Sequence, residues 1–195
     1  MKIIKNILSN EDNFKIIEHL IKCKNWMMAY DNKKHDINLI LEEGSLSITV
    51  NKKLNFTELQ NYFSNFKGMS MLTYSHDILK NKEDILDPFL NNYAEKISKI
   101  ICKKANIKKY KIVRYFWNFY RPLDVTDWHV DRKENNCISF VYNLHDSDGG
   151  TEINKKIYYD KEGEAKVFKS NIKHRGLGPK KINFRLNLNC ILQLE

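Results

Sequence analysis

The sequence predicts an α+β fold, with helices gathered in its first half and antiparallel strands in its second. Two patterns carry that expectation. Phe89, Leu90, Tyr93, Ile97, Ile100 and Ile101 recur at the spacing of one helical face. From Ile182 to Leu194 the even positions are all apolar, while Asn183, Arg185, Asn187 and Asn189 hold odd ones, which is the period of a strand. A chain of 195 residues, 42% of them apolar, can bury one core and is short for two. A single domain over 1–195 is expected, with a helix-rich supporting part at 1–105 and a strand-built core at 106–195.

Taken in order, Asn10–Lys22 places Phe14, Ile17, Leu20 and Ile21 on one helical face. Leu39–Glu42 and Leu46–Val50 read as short strands around Glu43-Gly44, and Thr57–Phe66 as a further helix. Asp87-Pro88 has the form of an N-cap followed by proline at the first helical position, opening the long apolar stripe. Tyr110–Tyr120 is rich in aromatic and β-branched residues, as strands are. Cys137–Leu144 is an apolar run ending in a polar turn, His145–Gly150, and Ala165–Phe168 is a short strand. Helices followed by such strands fit a double-sheet jelly roll backed by helices.

The formal charge is +9, and it is spread as single and paired lysines in a Lys-, Asn- and Ile-rich composition of the kind an AT-rich coding sequence produces. The 33 basic residues include only five arginines, Arg114, Arg121, Arg132, Arg175 and Arg185, all in the second half, which points there for anion chemistry. Cys23, Cys102, Cys137 and Cys190 form no CxxC pair and suit buried free thiols in a reducing compartment. No apolar run reaches bilayer length and the first residues lack a signal-peptide core, so a cytoplasmic protein is expected.

The chemistry gathers around His129-Val130-Asp131. In an extended chain residues two apart point the same way, so both side chains can reach one ion. His174 can complete a two-histidine, one-carboxylate set, which suits ferrous iron and leaves coordination positions open. The plain alternative for His129 is a half-buried histidine beside a surface aspartate. His19, His35 and His76 lie outside any such grouping, and His145 reads as a loop histidine.

With Arg185 eleven residues after His174, residues 110–195 resemble the 2-oxoglutarate/Fe(II) dioxygenase superfamily. The resemblance implies a double-stranded β-helix (jelly roll, cupin-like) with supporting N-terminal helices. It implies Fe(II) on His129, Asp131 and His174, and 2-oxoglutarate with its distal carboxylate on Arg185. O2 would be the oxidant, succinate and CO2 the products of 2-oxoglutarate, and ascorbate a supporting reductant.

Asn118 and Tyr120, eleven and nine residues before His129, resemble the N-x-Y pair of AlkB-type demethylases, where it helps hold the co-substrate's carboxylates. Arg185-Leu186-Asn187-Leu188 resembles their R-x-N-L, although Ile191 stands where they carry a second arginine. Val141-Tyr142-Asn143-Leu144, Asp148-Gly149-Gly150-Thr151-Glu152 and His174-Arg175-Gly176 resemble prolyl-4-hydroxylase-like proteins, many of them viral or bacterial. Trp128 and the cluster Tyr115-Phe116-Trp117 either line the cavity or fill the core.

The expected function is hydroxylation of a protein side chain or small molecule, in host cytoplasm if the source is viral. The alternatives are oxidative demethylation or hydroxylation of nucleic-acid bases, and a non-catalytic cupin-like barrel that binds metal or ligand.

Overall fold

A computed structural model describes the backbone of residues 1–23, 27–28, 37–42, 45–50, 69–77 and 82–195, with side chains for 1–23, 70–71, 73–76 and 83–195. The helix expected over 57–66 lies outside these residues. Strand β1 (Lys2–Ile4) precedes helix α1 (Asn10–Lys22). Then come β2 (Met27–Met28), β3 (Ile37–Glu42), β4 (Ser45–Val50), β5 (Met69–Asp77), β6 (Lys82–Ile85) and helix α2 (Pro88–Ala105). The remaining strands are β7 (Tyr110–Tyr120), β8 (Cys137–Asn143), β9 (Ser147–Ile153), β10 (Lys156–Asp160), β11 (Ala165–Lys169), β12 (His174–Leu177) and β13 (Arg185–Leu194).

The strands form two facing layers. The major sheet runs β1-β11-β8-β13-β7-β5-β2, with β6 on β5, and the minor sheet runs β10-β9-β12. Every pairing is antiparallel. Isolated bridges Val125↔Leu177 and His129↔His174 lay the segment after β7 along the free side of β12. Among the described residues β3 and β4 pair only with each other, and they contain the two short strands read from the sequence at Leu39–Glu42 and Leu46–Val50.

The two described helices cover the outer face of the major sheet. Asp87 caps α2, its Oδ1 accepting from Leu90 N at 2.9 Å, and Pro88 follows where a missing N–H costs nothing. Leu90, Ile97 and Ile101 are fully buried, each contributing about 1.5–3 kcal/mol. They pack in one cluster with Tyr115, Trp117, Phe140, Tyr142, Leu186, Leu188, Cys190 and Leu192. The apolar face of the alternating last strand is therefore the helix side.

Helix α1 has the predicted bounds but a different buried face: Asn13, Ile16 and Leu20 point inward, while Phe14 and Ile21 are 60% and 63% exposed. The cause is polar. Asn13 accepts from the Tyr142 hydroxyl at 2.6 Å and donates to Glu162 at 3.1 Å, which fixes the helix's rotation. The Gly149-Gly150 pair, expected in a turn, lies inside β9. A Cβ on Gly150 would strike the Tyr158 carbonyl of β10, so the glycine permits close backbone approach.

Candidate metal and carboxylate site

Between the two sheets the lining is largely polar. Strand alternation sends Arg114, Phe116, Asn118 and Tyr120 of β7 inward, in register with Ile191, Asn189, Asn187 and Arg185 of β13. The apolar part of this space is small: Val141, Ile153 and Phe168, backed by Tyr158 and Ile172.

His129, Asp131 and His174 meet at one end. Their ligand atoms lie within 4.8 Å of one another. Two backbone bonds, His129 N to His174 O at 3.0 Å and His174 N to His129 O at 2.9 Å, zip the histidines together. Asp131 N donates to Ser170 O at 3.0 Å and anchors the third residue. Each imidazole donates Nδ1–H to the carbonyl two residues earlier, His129 to Asp127 at 2.8 Å and His174 to Ile172 at 2.9 Å. That fixes the ring and turns Nε2 toward Asp131, at 3.9 Å from Oδ1 for His129 and 3.7 Å from Oδ2 for His174.

Burial pushes the His174 imidazole below the ordinary histidine range, with His129 adding to the effect and Asp131 opposing it. The neutral ring then presents a lone pair to a buried carboxylate whose Oδ2 has no hydrogen-bond partner among the described residues. Two lone-pair donors facing each other need a cation between them, and two imidazoles with one carboxylate suit a divalent transition metal. Arg114 steadies the carboxylate, Nη2 donating to Asp131 Oδ1 at 3.5 Å while its guanidinium lies over Phe116.

Arg185 lies inward on β13, 1% exposed, with its guanidinium carbon 4.7 Å from the centre of the Tyr120 ring. Its Nε donates to Asp160 Oδ2 at 2.6 Å, and its Nη2 donates to Asp160 Oδ1 and Thr151 Oγ1, both at 3.3 Å. Lys166 donates to the same Asp160 Oδ1 and to Asn143 Oδ1 at 3.3 Å. Burial pushes the Asp160 carboxyl up, but Arg185 and Lys166 together hold it below the ordinary carboxylate range. Burial lowers Lys166, with Asp160 resisting.

The unpaired atoms outline a place for a ligand. Arg185 Nη1, Asn187 Nδ2 and Asn189 Oδ1 share one face of β13, and each is buried without a hydrogen-bond partner among the described residues. Orphaned polar groups of this kind are costly unless something fills them.

The structure thus brings His129, Asp131 and His174 together, and Tyr120 against Arg185. Asn118 sits farther along the same face, donating to Asn187 at 3.0 Å and accepting from Ser70 at 2.7 Å. The other arginines take structural partners: Arg175 pairs with Glu152 and stacks on Trp128, Arg121 pairs with Asp124, and Arg132 with Glu134. Tyr115 and Trp117 are core residues, while Phe116 faces inward. His145 accepts from Leu186 N at 3.1 Å, as a loop histidine would.

Asp160 and Lys166 escaped the sequence reading, and Arg114 and Thr151 were named there without a place in the site. β10 showed no alternation that marked it as a strand. Lys166 was one lysine among many, although a lysine between Ala165 and Val167 in an apolar run was a usable signal.

No protein-family model matches the sequence, and no curated protein does. Solved structures match along nearly the whole chain. A 2OG-Fe(II) oxygenase family oxidoreductase from Burkholderia pseudomallei aligns with TM-score 0.60 at 10% identity, covering 96% of this chain and 81% of that one. HygX from Streptomyces hygroscopicus, solved with nickel and 2-oxoglutarate bound, aligns with TM-score 0.58 at 7% identity over 98% and 82%. The viral collagen prolyl hydroxylase of Paramecium Bursaria Chlorella virus-1, in complex with 2OG, aligns with TM-score 0.52 at 16% identity over 99% and 96%. The fold is the double-stranded β-helix of the 2-oxoglutarate/Fe(II) oxygenases. No helix among the described residues is long and apolar enough to cross a membrane.

Proposed function

We propose that the protein is an Fe(II)- and 2-oxoglutarate-dependent oxygenase that hydroxylates a protein side chain or a small molecule. The observation that carries this reading is the convergence of His129, Asp131 and His174, with both Nε2 atoms aimed at one buried carboxylate. In this fold, and beside a buried arginine whose Nη1 has no hydrogen-bond partner among the described residues, that set has a specific use.

The two imidazoles and Asp131 would hold ferrous iron, with Arg114 keeping the carboxylate in place. Arg185 would take the distal carboxylate of 2-oxoglutarate through Nη1, with Tyr120 packed on the guanidinium. Bound together, Fe(II) and 2-oxoglutarate supply the activation of O2 and the oxidative decarboxylation to succinate and CO2. The protein's own part is orientation and charge. The His129 side chain is 42% exposed, and the flanking Trp128 and Val130 are 36% and 37% exposed, so the metal position is open to a bulky substrate.

The test is anaerobic addition of Fe(II) and 2-oxoglutarate to the wild type and to His129→Ala. The wild type should develop a weak metal-to-ligand charge-transfer absorption and, with O2 and substrate, form succinate; the variant should do neither. A wild type that binds Fe(II) and 2-oxoglutarate without that absorption sinks the assignment.

A further inference from the structure

The guanidinium of Arg185 does not stand free. Its Nε and Nη2 are engaged by Asp160, the bidentate edge that a substrate carboxylate would ordinarily use. One buried arginine on one buried aspartate is a neutral pair. A second carboxylate arriving there would meet no net attraction and the repulsion of Asp160. Lys166 alters that balance. It donates to the same Asp160 oxygen from a side chain 2% exposed; with both basic groups protonated, two cations share one carboxylate and a single positive charge is left over. A purely structural pair needs only one cation, and an unbalanced buried charge is costly. The excess makes sense if an incoming anion removes it, and Arg185 Nη1, unpaired among the described residues, is the donor through which that anion would bind.

We infer that Lys166 is a positioning residue for the co-substrate: acting through Asp160, it supplies the net positive charge of the carboxylate subsite, while Arg185 supplies the hydrogen-bonding geometry. The inference rests on the proposed 2-oxoglutarate site. It makes the subsite a counted one, in which Lys166, Asp160 and Arg185 together accept one carboxylate and no more. Thr151, donated to by Nη2 at 3.3 Å, and Asn143, donated to by Lys166 at 3.3 Å, hold the ends of the chain of contacts in place.

The charge count separates variants that a packing role would treat alike. Lys166→Gln keeps an amide donor beside Asp160 and Asn143 but leaves the subsite neutral. The double variant Asp160→Asn/Lys166→Gln returns it to one positive charge, now on Arg185 alone. Dissociation constants for 2-oxoglutarate would be measured anaerobically on Fe(II)-loaded protein by intrinsic fluorescence, with Fe(II) affinity measured separately. Lys166→Gln should weaken 2-oxoglutarate by at least about tenfold with Fe(II) affinity unchanged, and the double variant should return to within about threefold of wild type.

If Lys166→Gln binds as the wild type does, the inference is overturned. A double variant that fails to fold, or binds no better than Lys166→Gln, also overturns it. Should Lys166→Gln itself not fold, recovery of folding and affinity in the double variant supports the charge count. A wild type that binds Fe(II) but no 2-oxoglutarate removes the co-substrate reading itself, which is a distinct result.

Discussion

Replacing Arg185 with methionine separates the two ends of the site. Methionine keeps much of the length and volume of the side chain but none of its donors. In the wild type those donors make three contacts, to Asp160 at 2.6 and 3.3 Å and to Thr151 at 3.3 Å, and Nη1 has no partner among the described residues. Asp160 is not orphaned by the change, because Lys166 still neutralises it. The stability cost should therefore be about 1–2 kcal/mol, not the roughly 3–5 kcal/mol of a stranded buried charge. Loss of a charge-assisted hydrogen bond to the co-substrate is worth about 1.5–3 kcal/mol, or roughly a 10- to 150-fold weaker 2-oxoglutarate. His129, Asp131 and His174, the proposed metal residues, are untouched, so Fe(II) should bind within about threefold of wild type. Anaerobic titrations of Fe(II), then of 2-oxoglutarate, followed by charge-transfer absorption, measure both. Parallel loss of the two affinities, or loss of neither, would refute the division of labour between Arg185 and the histidine–aspartate set.

Three further outcomes are expected. Gly176→Ala would drive its Cβ into the Tyr120 hydroxyl and to 2.8 Å from its Cζ, so stability should fall by about 1–3 kcal/mol in denaturant melts. Because Tyr120 must leave Arg185, 2-oxoglutarate should weaken more than Fe(II); unchanged 2-oxoglutarate affinity would contradict the contact. Asp160 titrates below its ordinary 3.8 in the folded protein, so its stabilisation is present above that pH and is lost as pH falls through the folded value. The stability gap between wild type and Asp160→Asn should accordingly narrow below about pH 4 in acid-dependent denaturation curves, and a gap that widens there would reverse the sign of the argument. Tyr142→Phe removes the 2.6 Å bond to Asn13 and should cost about 1–2 kcal/mol, with α1 amides exchanging faster than those of α2.

Much of this was legible because strand alternation is strict. The even-odd pattern of β13 separated Leu186, Leu188, Cys190 and Leu192, which face the helices, from Arg185, Asn187 and Asn189, which face the site. β7 was bounded to the residue, and the Asp87-Pro88 cap located the start of α2. The trio was readable because H-x-D can send both side chains the same way, and His174 was the histidine left to join them. The errors have a common source, polar partners distant in sequence. Phe14 and Ile21 looked buried until Tyr142 and Glu162 claimed Asn13 and turned α1. Arg185 looked like a free fork until Asp160 arrived from β10. Gly149-Gly150 looked like a turn because nothing local announces that another strand needs the space a Cβ would fill.

The pairing of β1 with β11 places Ile3 opposite Lys166, more than 160 residues away along the chain. Contacts that distant close the largest loops and contribute late to folding. Until β1 docks, β11 presents an open ladder of amides and carbonyls on one side, and its lysine's strand is held only by β8. The outer seam of the sheet and the electrostatics of its interior are thus assembled together. Loosening residues 2–4 should show itself first as a blurred surrounding of Arg185 and Lys166 and a sticky edge, before His129 and His174, zipped to each other on the opposite layer, lose their alignment.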